Sequence, residues 1–120
     1  MPDTIVWCDI PVKNLDRAIK FYGDVLAAKI EKQSHGEINF GLLPHAHENV
    51  SGCLVVSDEN KPSAEGPLVY LNCEGRLDAA ISTVEMNSGK ISQPKHQIGP
   101  HGFRAVILDS EGNRIALHSK

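Results

Sequence analysis

Asp9-Ile10-Pro11-Val12-Lys13-Asn14-Leu15-Asp16-Arg17-Ala18-Ile19-Lys20-Phe21-Tyr22-Gly23-Asp24-Val25-Leu26 contains the end of a strand, a helix cap and an amphipathic helix in one run. Thr4 to Val12 is rich in β-formers and closes at Pro11, which has no N–H to donate to a central ladder. Asn14 is a helix N-cap. Beyond it Leu15, Ala18, Ile19, Tyr22, Val25 and Leu26 recur at helical spacing, so one face of the helix lies on a sheet. Further along, Lys29 to Gln33 is expected to be a short strand and Ser34-His35-Gly36 a turn. Glu37 to Leu43 is expected to be a strand ended by Pro44, and Val50 to Ser57 a fourth. Asp58 to Gly66 is polar, carries Pro and Gly and lacks periodicity, which marks a linker.

The pattern then begins again. Pro67 to Cys73 is a strand, and Leu77, Ala80, Ile81 and Val84 recur at helical spacing. Gly89 is placed to end that helix in a left-handed cap. Lys90 to Gln93 and Phe103 to Leu108 are strands. Asp109-Ser110-Glu111-Gly112-Asn113 is a hairpin turn, and Arg114 to His118 closes the chain as a strand. Leu15-Asp16-Arg17-Ala18-Ile19 is answered half a chain length later by Leu77-Asp78-Ala79-Ala80-Ile81. The expected fold is therefore α+β, two tandem β-α-β-β-β units in one domain over residues 1–120. Repeat 1 spans roughly 1–57, the linker 58–66 and repeat 2 67–120. A helix covers one face of each sheet, and the two uncovered, curved faces are expected to cover each other around a ligand cup.

Bulk properties narrow the function classes. The chain has 120 residues, 41% hydrophobic and 22% charged, with net charge −3 at pH 7. That is the composition of a globular domain able to bury its own core. No Lys/Arg stripe exists, so nucleic acid is not an expected partner. No apolar run reaches a membrane span, and the first residues do not resemble a signal peptide, so a cytoplasmic location is expected. Cys8, Cys53 and Cys73 are odd in number and form no C-x-x-C pair. They fit small buried thiols in a reducing compartment.

The run from Asp9 to Leu26 resembles the first strand and helix of the vicinal oxygen chelate superfamily. That group includes glyoxalase I, bleomycin-resistance proteins, fosfomycin-resistance enzymes and extradiol dioxygenases. Asp109-Ser110-Glu111-Gly112-Asn113 resembles the family's closing D-P-x-G-N hairpin, and the likeness covers essentially the whole chain. It implies a glyoxalase/bleomycin-resistance-type fold, commonly a homodimer, with a divalent metal as Lewis acid on His and Glu ligands. Ala27 departs from the pattern, since many members have Gly there. If that residue is left-handed, Ala costs about 1 kcal/mol relative to Gly. The resemblance places the four metal ligands at Trp7, near Gly52, at Leu68 or Val69, and at Ala116. None of these side chains binds a metal, so no metal is expected at the inherited positions.

Strand alternation groups the other candidates. If Trp7 and Ala116 mark the pocket face, Asp9, Arg114 and His118 share it, as do Leu68, Tyr70 and Asn72 on the fifth strand. An indole, a phenol and an amide there suit a flat ligand, although Trp7 and Tyr70 fit a core equally well as residue types. Six histidines are present: His35, His45, His47, His96, His101 and His118. His45 and His47 fit exposed loop residues, because side chains two apart diverge on extended backbone. His96 and His101, in the loop expected over residues 94–102, are candidates for catalytic acid, base or ligand. With Glu48 they are also candidates for a relocated metal site.

Three functions follow. The first is a metal-free binder of a small molecule in the cup. The second is a glyoxalase-like lyase or isomerase using relocated ligands or a histidine acid–base pair. The third is a dimeric structural or regulatory domain.

Overall fold

The computed structural model describes residues 4–46 and 50–120. Strand β1 (Cys8–Pro11) leads into helix α1 (Leu15–Leu26), then β2 (Glu31–His35), β3 (Ile38–Leu42) and β4 (Gly52–Val55). The second unit follows as β5 (Val69–Asn72), α2 (Leu77–Val84), β6 (Lys90–Gln97), β7 (Phe103–Leu108) and β8 (Arg114–Ser119). Each unit forms a four-stranded mixed sheet, in the orders β1-β4-β3-β2 and β5-β8-β7-β6. In both, the first strand pairs parallel to the last while the remaining pairs are antiparallel. The expected α+β class and the doubled β-α-β-β-β order are therefore present.

Asn14 caps α1 through its side chain, which accepts from the Arg17 N–H at 3.0 Å. The apolar stripe buries Leu15, Ala18, Tyr22 and Val25, and Phe21 with them. This face meets Leu77, Ala80 and Val84 of α2 within one buried cluster that also takes in Ile10, Leu54, Ile107 and Leu117. The units thus join through their helices and a shared core. Among the described residues, Trp7 of the first unit and Tyr70 of the second each keep 46% exposure. These two aromatics are therefore open to solvent where the units meet.

Three local expectations are corrected. Gly89 is not the left-handed residue: α2 runs into a 3₁₀ turn at Glu85–Asn87, and Ser88 takes φ 70°. Gly89 is needed for space instead. A Cβ there would lie 2.6 Å from the Phe21 ring and 2.7 Å from the Leu108 carbonyl oxygen. Second, β6 continues to Gln97, past the Gln93 expected from sequence, and so carries His96. Pro94 is tolerated because β6 is an edge strand, and the register shifts twice along it. The expected loop shrinks to Ile98–Gly102, with a 3₁₀ turn at Gly99–His101. Third, β2 ends at His35, displacing the tight turn by about one residue.

Ala27 adopts φ 50° and ψ 45°, with its N–H on the Asp24 carbonyl at 3.3 Å. A methyl side chain is strained in that region, whereas glycine enters it freely. Ala27→Gly is expected to raise the free energy of unfolding by about 0.5–1 kcal/mol, read as a higher urea midpoint at unchanged slope.

Candidate functional site

Strands β1 and β5 are the edges that face the junction of the units, and a cavity of about 990 Å³ opens between them. Its walls come from Trp7, Cys8 and Ile10 of the first unit and from Pro67 to Asn72 of the second. Leu26 and Ala28 contribute from the end of α1, and residues 43–46 from the segment ahead of β4. Aliphatic and aromatic groups dominate, with Asn72, His45 and Ser51 among the polar residues of the lining. A space of this kind accepts a largely apolar small molecule and orients it with a few polar contacts.

Trp7 belongs to this wall, outside the buried core. Its indole Nε1 donates to Asp9 Oδ1 at 3.0 Å. The Cys53 thiol donates to the same oxygen at 3.3 Å. Asp9 and Cys53 are register partners, so the three groups form one short chain on the open side of the first sheet. Burial first, and then the Asp9 carboxylate, push the Cys53 thiol up to about 11. Burial likewise raises Cys8 and Cys73. These thiols stay protonated at neutral pH and are not nucleophiles.

A second, shallower cavity of about 540 Å³ is lined by Tyr70, Ile98, His101 and His118. Tyr70 is shared by both cavities. Of the residues singled out from sequence, Trp7, Tyr70 and Asn72 line the larger space, and His101 and His118 the smaller. Asp9 lies behind Trp7. His96 sits on β6 as the register partner of Arg104. Arg114 lies beneath the linker, donating from Nη2 to the Gly66 carbonyl at 3.2 Å, while its buried Nε has no partner. His47 and Glu48 lie outside the described residues.

The family's metal ligands require side chains that these positions do not provide. At Gly52 even a Cβ would lie 2.2 Å from the Cys8 carbonyl oxygen, so no ligating side chain fits without moving β1. Ala116 is fully buried beside its partners Tyr70 and Val106. The indole of Trp7 is a donor only, and Leu68 is aliphatic. Among the described residues no group of three His, Cys, Asp or Glu side chains converges. The side chains at these four positions do not fit the family's metal.

Two features were missed from sequence. His45 reaches the larger cavity despite its loop setting, which depends on the path of the chain. Arg104 lies on the same face as His96, His118 and Asn72. The alternation Phe103-Arg104-Ala105-Val106 carried the signal, since a charged residue amid an apolar strand must face a polar or open surface.

Two mixed four-stranded sheets with paired helices define an α+β fold of two repeated β-α-β-β-β units. Residues 4–117 match the model of the Glyoxalase/Bleomycin resistance protein/Dioxygenase superfamily, and the chain belongs to that superfamily. A glyoxylase-like domain-containing protein of Didymella fabae is 29% identical over 116 residues, spanning 91% of this chain and 88% of that protein. A glyoxalase/bleomycin resistance protein from Albidiferax ferrireducens superposes with TM-score 0.73 at 16% identity, covering 98% of this chain and all of that one (100%). A point mutant of glyoxalase I from Zea mays gives TM-score 0.70 at 18% identity, over 97% of this chain but 46% of the maize chain. At these identities the solved structures share the fold. Among the described residues no helix is long and apolar enough to cross a membrane.

Proposed function

We propose that this chain is a single glyoxalase-like domain that binds a flat, largely apolar small molecule between β1 and β5 without the family's metal. The observation that carries the reading is the cavity itself. It is ligand-sized and flanked by Trp7 and Tyr70, and Gly52 in its wall leaves no room for a ligating side chain. Exposed aromatic faces beside aliphatic walls favour stacking of a planar ligand. Ile5, Val6 and Val50 are exposed near the same opening, which supports a two-fold dimer that would close the cup. Three protonated thiols fit a reducing, cytoplasmic setting.

The chain's one tryptophan is Trp7. Titration with a neutral bicyclic aromatic such as 2-naphthol is expected to quench its fluorescence saturably. Trp7→Ala should weaken the calorimetric affinity about tenfold, the loss expected when one good aromatic contact goes. Elemental analysis of protein purified without an affinity tag should find no stoichiometric metal. Stoichiometric metal that disappears in His96→Ala or His101→Ala would instead favour the lyase or isomerase reading. Light scattering of the same samples should give the mass of two chains.

A further inference from the structure

Four register partners cross the second sheet in a row: Asn72 on β5, His118 on β8, Arg104 on β7 and His96 on β6. Register partners share a face, and Tyr70, two residues from Asn72, stands on the same one. At the centre is Arg104, half-buried. Its Nε donates to His96 Nε2 at 3.0 Å, and its Nη1 donates to the Tyr70 hydroxyl. Because His96 Nε2 accepts, the ring proton sits on Nδ1, 2.9 Å from the Pro94 carbonyl oxygen. His96 therefore holds Arg104 as a neutral group. The guanidinium carbon also lies 5.8 Å from the Tyr70 ring centroid.

Among the described residues the ion pairs involve Arg17, Lys20, Lys32 and Lys95, and none involves Arg104. A guanidinium carries five N–H groups. Two are taken by His96 and Tyr70, and those left on Nη1 and Nη2 form the end-on fork that matches an oxyanion bidentately. His118 is pinned beside it, with Nε2 2.7 Å from the His101 carbonyl oxygen. The cation is held by His96 and Tyr70, and among the described residues no carboxylate pairs with it. Tyr70, which bonds it, also walls the larger cavity.

We infer that Arg104, set by His96 and Tyr70, is an oxyanion-recognition subsite, and that the ligand of the cup carries a carboxylate or phosphate group directed to it. This inference rests on the reading of the cup as a small-molecule site and names the chemical class of its ligand.

Benzoate, its neutral isostere benzamide, and inorganic phosphate are the probes, used with the full chain. The readouts are the NMR signals of the Arg104 Nε–H and the Trp7 indole N–H, together with affinity. Benzoate should move both signals, and benzamide that of Trp7 alone. Arg104→Gln should weaken benzoate at least about tenfold, as expected when a charge-assisted pair is lost, and leave benzamide unchanged. Arg104→Lys, which keeps charge without the fork, should fall between them and controls for folding. Phosphate that moves the Arg104 signal and competes with benzoate identifies a subsite for phosphate esters as well. Phosphate without effect confines it to carboxylates. If neither anion moves the Arg104 signal, or Arg104→Gln binds benzoate as the parent does, the subsite is overturned. If benzamide perturbs Trp7 in that case, the cup reading survives without it.

Discussion

Asp109→Ala is expected to lower the free energy of unfolding by about 3–5 kcal/mol, a large share of the 5–15 kcal/mol typical of a domain. Asp109 is 2% exposed, and its carboxylate is the meeting point of four donors. Its Oδ1 accepts from the backbone N–H groups of Glu111 and Asn113, each at 2.8 Å. Its Oδ2 accepts from Asn113 Nδ2 at 3.0 Å and from the hydroxyl of the fully buried Tyr22. Burial, and then the Asp109 charge, hold that phenol well above its ordinary value, so it remains a donor. Removing the carboxylate strands these donors, and stranded buried donors cost more than a hydrogen bond contributes. Asp109→Asn keeps an oxygen for the two backbone N–H groups but turns an NH₂ toward Tyr22 and Asn113, and should cost about 1–2 kcal/mol. Urea denaturation of the three proteins at equal slope is the measurement. A loss below 1 kcal/mol in Asp109→Ala would mean that the hairpin reorganises without it.

The second large effect is expected at Glu111. Burial alone would raise its pKa. Burial is the largest single influence, but the Arg17 guanidinium, the Asn14 N–H, the Ser110 hydroxyl and the Lys13 N–H together outweigh it and bring Glu111 down to about 2. Arg17 Nε reaches Oε2 at 2.7 Å, and Arg17 Nη2 reaches Oε1 at 3.0 Å. The Lys13 and Asn14 N–H groups donate to Oε1 at 2.8 and 2.7 Å. The folded pKa lies below the ordinary carboxyl value, so the folded state binds the proton more weakly. Its contribution to stability is complete above the ordinary value of 4.5 and is lost as pH falls toward about 2. The fall from 4.5 to about 2 converts to about 3.4 kcal/mol, and because the Arg17 side chain is 44% exposed, solvent screening reduces this to about 2–3 kcal/mol. Urea midpoints taken between neutral pH and the acid limb should fall steeply for the parent. Glu111→Gln should begin lower at neutral pH and show a flatter limb. An acid limb of equal steepness in both proteins would place the linkage on another carboxylate.

Much of the fold was legible because local chemistry and global topology agree here. The Asn14 cap, the stripe Leu15-Ala18-Tyr22-Val25 and the Asp/Gly hairpin each specify an element from neighbouring residues. The failures came where a neighbour in space decided the matter. Gly89 resembles a helix stop on the chain, yet its lack of a side chain answers to the Phe21 ring and the Leu108 carbonyl. Pro94 suggests a loop, but at a sheet edge it needs no ladder partner, and β6 continues through it to His96. The site divides the same way. Trp7, Tyr70, Asn72 and His118 could be named from alternation along their own strands, whereas His96 was legible only as a loop candidate. Arg104 was missed because only the register of β7 against β6 and β8 brings it among them.

The sequence by itself determined two β-α-β-β-β units, since periodicity is a local property. It also contained the run from Asp9 to Leu26 and the hairpin from Asp109 to Asn113 as separate signatures. Only the tertiary structure joined them: Pro11, Asn14, Arg17 and Tyr22 bond to Asn113, Glu111, Glu111 and Asp109 across the two units. It likewise decided that the helices, with the larger apolar stripes, would bury each other. The cavity lies between the sheet edges β1 and β5. Nothing in the sequence alone announces such pairings, because the free energy of a buried carboxylate depends on which donors arrive, and donors nearly a hundred residues away arrive only when the chain has folded.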